Sequence, residues 1–259
     1  MQESSSLNLI FVNGKGGAGK GTMLEHLLRE TPGSCEISTG KIYRGAKSGV
    51  GEYAEFKPDV TPYIDSVDNH GGLLPDEVIV PIVGIVVARR VDEGFTTFVF
   101  DGFPRTIPQL EETDRMIADL RQGFEPDREV IAKFICYATT DERSLGRTEG
   151  RRLSDIKKGK VLRPEDEPKK ARERLNVYKE EGKTEDMLHI LAREKRLMVI
   201  KGSSGSKDGW RRLKRELEHG QTTDRELPRL ARENIRVSLA FLALFSNSHK
   251  LAKPSRARS

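Results

Sequence analysis

The chain has 259 residues, 36% hydrophobic and 33% charged, with 24 glycines and 12 prolines. A chain of that length can bury a sizeable core, and its composition excludes a collagen, a disulfide scaffold and a wholly disordered polypeptide. The net charge of +5 is local: residues 221–259 hold 8 Lys and Arg against 3 Asp and Glu, while the other 220 residues balance at 37 of each, so the body has no basic bias toward nucleic acid.

No stretch approaches the ~18 consecutive apolar residues of a membrane span. Residues 1–6 place no basic region ahead of an apolar run, so they do not read as a secretory signal. Short apolar runs rich in Val, Ile or Phe lie at 7–12, 35–37, 97–100, 130–137 and 197–200. Runs of this kind, bounded by Gly, Pro, Asp or Ser, predict strands buried on both faces. Helical spacing predicts helices at 22–30, 108–121 and 167–179; 76–92 has the same spacing, but its Val and Ile content leaves it ambiguous by propensity. The alternation predicts a parallel α/β sheet covered on both sides. Cys35 and Cys136 each lie in an apolar run and read as buried free thiols, which suits a reducing, cytoplasmic compartment. Two segments interrupt the alternation: 40–74, rich in Gly, Asp, Pro and Tyr, and 150–167, dense in Lys and Arg. Each reads as a surface excursion or, beside a ligand site, as lid material.

The first predicted strand runs directly into Asn13-Gly14-Lys15-Gly16-Gly17-Ala18-Gly19-Lys20-Gly21-Thr22 and then a helix. Gly-x4-Gly-Lys between a strand and a helix is a phosphate cradle. Its glycines let backbone N–H groups converge, the helix N-terminus adds its positive end, and Lys20 is placed for the outer phosphates. The usual Ser or Thr after the lysine is replaced by Gly21, and the hydroxyl follows at Thr22.

The Gly-Lys-Gly-Thr ending resembles the adenylate kinases and their nucleoside-monophosphate-kinase relatives. The same resemblance extends to Ser38-Thr39-Gly40 with Arg44, to Gly72-Leu73-Leu74-Pro75-Asp76-Glu77, and to Asp101-Gly102-Phe103-Pro104-Arg105 with Gln109. It also covers the spaced pairs Arg143 with Arg147 and Arg163 with Arg174, and it spans about residues 7 to 217. The resemblance implies a P-loop three-layer sandwich with a five-stranded parallel sheet in the order 2-3-1-4-5. It implies one kinase domain over 1–220, with an AMP-binding insertion at about 40–74 and a lid at about 148–162, followed by an extension at 221–259.

The implied activity is reversible transfer, MgATP + AMP to two ADP. Gly14, Lys15, Gly16, Gly17, Ala18, Gly19, Lys20, Gly21 and Thr22, with Arg143 and Arg147, would hold ATP. Thr39, Gly40, Arg44, Leu74, Gly102, Arg105 and Gln109 would hold AMP. Lys20, Arg105, Arg143, Arg147, Arg163 and Arg174 would clamp the moving phosphoryl group, because rigid guanidinium forks suit phosphate oxygens. Asp101 would hold magnesium through water; its plainer reading is a turn former at a strand end. Arg151 and Arg152 read as lid surface. Thr39 and Gln109 favour AMP over UMP or CMP. A kinase for another nucleoside or deoxynucleoside monophosphate is the alternative, and a nucleotide-binding regulator with little transfer activity is the other.

The sequence departs from the family at several places. Lys41 stands where the family has an aspartate, which would sit beside the transferring phosphate. Thr184-Glu185-Asp186-Met187-Leu188 replaces a Thr-x-Pro-Leu pattern. The 15 residues between Arg147 and Arg163 contain no cysteine, so no structural zinc is expected there. The core is expected to be monomeric. In the extension, 237–245 is apolar at eight of nine positions and is expected to pack on the body or on a second subunit.

Overall fold

The structure, a computed structural model, describes residues 6–123 and 129–201 together with Arg211 and Lys214. Its centre is a five-stranded sheet built from β1 (Leu7–Asn13), β2 (Ser34–Ser38), β3 (Thr97–Asp101), β4 (Val130–Ala138) and β5 (Leu197–Lys201). All pairings are parallel and the order is β2-β3-β1-β4-β5, as the resemblance implied. Each crossover carries helix: α1 (Lys20–Glu30), α2 (Thr39–Ser48), α3 (Lys57–Val60), α4 (Ile64–His70), α5 (Asp76–Asp92), α6 (Ile107–Gly123), α7 (Asp141–Lys157), α8 (Pro168–Lys179) and α9 (Thr184–Arg193).

The period of two along β1 divides its side chains between two cores. Leu7, Leu9 and Phe11 join one cluster with residues of α2, α5, α6 and α9. Ile10 and Val12 face the other side and pack with Met23, Leu24 and Leu27 of α1. Phe11 lies between Phe100 and Phe134, ring centroids 4.5 and 4.7 Å away and stacked, because the registers of β3 and β4 place these residues beside it. Cys35 and Cys136 are buried and unpaired.

Segment 76–92 is a helix despite its β-branched composition. Ile79, Ile82, Val83, Val86 and Val87 recur at helical spacing and are all buried, so packing overrides propensity. The segment expected to be a lid, 148–162, divides: α7 continues through Lys157, and residues 158–163 form the connection to a single 3-10 turn at Pro164–Asp166. The apolar run 237–245 and the rest of the extension lie outside the described residues.

Phe11 is fully inaccessible and its ring stacks on neighbours from two other strands, so its removal opens a cavity that the sheet cannot close. Phe11→Ala is expected to lower unfolding stability by about 3–5 kcal/mol. Urea denaturation should show an earlier midpoint at unchanged slope.

Candidate functional site

Four strands deliver their C-terminal ends to one edge of the sheet. β1 leads into the glycine-rich loop and α1. That helix begins after Gly19 with no side-chain cap and no acidic residue in its first turn, leaving amide donors for an anion. β2 leads through Ser38, whose hydroxyl accepts from the Lys41 amide at 3.4 Å, into α2. β3 ends at Asp101, and β4 leads into α7, whose side-chain cap is Thr140.

Two adjoining cavities open at this edge. The larger, about 410 Å³, is lined by Thr39, Gly40, Arg44, Leu74, Gly102, Arg105 and Gln109, every residue expected to hold the acceptor. The smaller, about 90 Å³, is lined by Gly14, Lys15, Gly16 and Lys20 of the loop. Gly102, Arg105 and Arg174 border both.

The cationic groups here are desolvated and crowded. Burial pushes the Lys20 ammonium down to about 8, with Arg105 and Arg174 adding to the fall and Asp101 opposing it. Its Nζ donates to the carbonyl oxygens of Gly14 and Lys15. Burial likewise lowers Arg105 to about 10, helped by the like charge of Arg174 and opposed by Asp101. Arg174 is lowered by burial, against the attraction of Glu165 and Asp166. Arg105 is aimed by its surroundings: its Nε donates to Gly102 O at 2.6 Å, its amide donates to Gln109 Oε1 at 2.7 Å, and its carbonyl accepts from Thr184 Oγ1 at 3.1 Å. Gly102 has φ +71°, and a Cβ there would collide with the Arg105 side chain.

Gln109 also donates from Nε2 to Asp76 at 2.6 Å. An amide offers two N–H donors and two acceptor sites, so one of each remains. Thr39 Oγ1 donates to Gly102 O at 3.2 Å. Asp101 takes a hydroxyl hydrogen bond from Ser38 at 3.4 Å. Asp101 lines neither cavity but raises the proton affinity of both Lys20 and Arg105, and a lone carboxylate suits an ion that keeps most of its water, as magnesium does, better than one that needs a full protein cage. Among the described residues no cluster of three or more His, Cys, Asp or Glu is arranged as a metal cage.

The later arginines separate. Arg147 lies against the loop, its Nη1 3.4 and 3.3 Å from the carbonyl oxygens of Gly17 and Ala18. Arg143 and Arg163 are exposed and line neither cavity. Gly21 and Thr22 are exposed at the start of α1. Lys41 lines neither cavity, and its exposed ammonium pairs with Glu36. The surface reading of Arg151 is corrected. It forms a two-pronged ion pair with Asp166, Nε to Oδ2 at 2.6 Å and Nη2 to Oδ1, and Asp166 is 1% exposed. Arg152 stays on the surface of α7, paired with Glu149.

Sequence reasoning missed Ser144 and Thr148. Ser144 Oγ donates to Gly16 O at 2.6 Å, and Thr148 Oγ1 donates to Ser144 O. A Cβ on Gly17, at φ +71°, would stand 2.6 Å from Ser144 O, so α7 presses the loop closely enough to require glycine. The signal was present: 144 and 148 are spaced i, i+4, one position after Arg143 and Arg147. Tyr43, Lys47, Asp68 and Glu165, which line the larger cavity, were missed as well.

The family model described as adenylate kinase matches residues 12–193. An adenylate kinase of Sorangium cellulosum is 32% identical over 75% of this chain and 89% of its own length. One from Rhizobium meliloti is 34% identical over 76% of this chain and 92% of its own length. An adenylate kinase of Archaeoglobus fulgidus is 31% identical over 82% of this chain and 98% of its own length.

The lowered Lys20 fixes a linkage. An anion seated beside it favours the charged ammonium and raises its proton affinity again. Binding of inorganic tripolyphosphate should therefore take up protons from about pH 8 upward, and should weaken as pH rises through that window. Titration calorimetry near pH 8.5 in buffers of different ionisation heat measures the uptake, and Lys20→Met should remove it.

Proposed function

The chain belongs to the adenylate kinase family, and from that premise we propose that the two adjoining cavities seat the two nucleotides of one reaction, ATP + AMP to two ADP. An AMP phosphate oxygen attacks the γ-phosphorus of ATP. The new O–P bond forms as the bond to the β,γ-bridging oxygen breaks, and that oxygen leaves with the electron pair as ADP. The observation that carries this reading is the shared wall: Arg105 and Arg174 border both cavities, with Lys20 on one side. A phosphoryl group passing between the cavities crosses that wall, where fixed positive charge is already desolvated and needs no reorganisation.

Lys20, Arg105 and Arg174 are the residues assigned to the transferring group. Arg147 and the loop amides hold the donor phosphates, and Arg44 joins Arg105 on the acceptor phosphate. Arg143 and Arg163 are assigned to the same clamp on the family resemblance alone. Asp101 would hold magnesium through its water shell, and the ion would neutralise phosphate charge. The remaining N–H and lone pair of Gln109 suit N1 and the N6 amine of adenine. Both cysteines are buried free thiols, which supports a reducing, cytoplasmic setting.

A coupled assay for ADP made from ATP and AMP tests the reading, and a nucleotide-binding regulator would make none. AMP should outperform CMP and UMP as acceptor. Arg105→Ala should reduce kcat by about 10²–10³-fold with a nearly unchanged melting temperature. Normal turnover in the folded variant would remove Arg105 from the clamp.

A further inference from the structure

The larger cavity, read here as a site for an anionic acceptor, has an acid in its wall. Gly40, Tyr43, Arg44 and Lys47 recur at i, i+3, i+4 and i+7 on α2, and all four line it. Across the cavity wall, α4 contributes Val67 and Asp68. Tyr43 Oη donates to Asp68 Oδ1 at 2.8 Å, and Lys47 Nζ pairs with Oδ2. Burial raises the Asp68 carboxyl, but the bonds from Lys47 and Tyr43 outweigh it and hold it below the usual range. Asp68 is thus an ionised carboxylate with one protein partner on each oxygen.

A carboxylate repels phosphate, and Arg44, Arg105 and Arg174 already serve the phosphate in this cavity. Its place in the wall is explained if it meets the uncharged part of the ligand. Each carboxylate oxygen has two acceptor positions, so each keeps one beyond its protein partner. A nucleoside supplies the matching donors: sugar hydroxyls and, in adenine, an exocyclic amine.

We propose that Asp68, oriented by Tyr43 and Lys47, is a specificity-determining residue that accepts a hydrogen bond from the nucleoside half of the acceptor. This rests on the reading of the larger cavity as the acceptor site. Sugar hydroxyl and base amine present the same donor chemistry, and analogues tell them apart: 2′-deoxy-AMP and 3′-deoxy-AMP each lack one hydroxyl, and IMP lacks the amine.

Equilibrium binding of AMP and the three analogues to the full chain and to Asp68→Ala tests the assignment. The variant should bind AMP about tenfold or more weaker, because a hydrogen bond to a charged group is lost. For at least one analogue, the variant and the parent should agree within about twofold, and that analogue names the donor. A uniform loss across all four ligands, or no loss, overturns the proposal. Tyr43→Phe removes one tie between α2 and α4 but leaves the carboxylate. It should keep the parent's order of preference; the same selectivity change as in Asp68→Ala would show a merely structural role and also overturn the proposal. Because the readout is binding, it stands apart from turnover: a parent chain that makes no ADP defeats the proposed reaction without deciding this result.

Discussion

Like charge confined in a desolvated space is the constraint on which this structure depends. Lys20, Arg105 and Arg174 are each pushed toward losing a proton by burial, and Arg105 and Arg174 add mutual repulsion. Asp101 on one side and Glu165 with Asp166 on the other offset part of it. Separated in water, these groups would be nearly indifferent to one another; held together, they favour an anion. The rest of the fold has to hold them there against that repulsion.

The sheet does so through its two buried faces. A parallel strand with one face in each core cannot slip by a residue without exchanging the side chains that fit the two differently shaped cores. The register at Phe11, Phe100 and Phe134 is therefore firm, and it places the ends of β1, β3 and β4 level with one another. The loop containing Lys20, the turn containing Arg105 and the start of α7 inherit their positions from it. Thr184 at the head of α9 then fixes the Arg105 carbonyl, so a segment that departs from the family pattern supports its most characteristic turn.

α7 connects the cradle to the segment beyond it. Its first turns press Ser144 on the loop, and Asp141 pairs with both Lys15 of the loop and Lys179 of α8. Farther along the same helix, Arg151 holds the nearly inaccessible Asp166. Removing one partner of such a pair leaves an uncompensated charge, so the contact defines where the 3-10 turn sits. That turn carries Glu165, whose carboxylate reaches Arg44 of α2 at 3.2 Å. A single helix thus relates the loop, the connection at 158–163 and the acceptor wall.

The strands, the cradle and the DGFPR turn were legible in the sequence because each is a local pattern: short apolar runs for strands buried on both faces, glycines before Lys20, and a dense motif at 101–105. The helix at 184–193 carries the same kind of signal, since Thr184, Met187, Leu188 and Leu191 are buried at i, i+3, i+4 and i+7. Other features depended on partners distant in the chain. Arg151 reads as surface until Asp166, fifteen residues on, folds back to it. Tyr43 and Lys47 read as ordinary helix residues until α4 brings Asp68, more than twenty residues away, against them. Lys41 reads as a lone charge reversal until Glu36, five residues back on β2, is seen paired with it. Local pattern fixes what a segment can form, whereas a charged side chain's role depends on which opposite charge the fold brings within a few ångströms, and only the tertiary structure decides that.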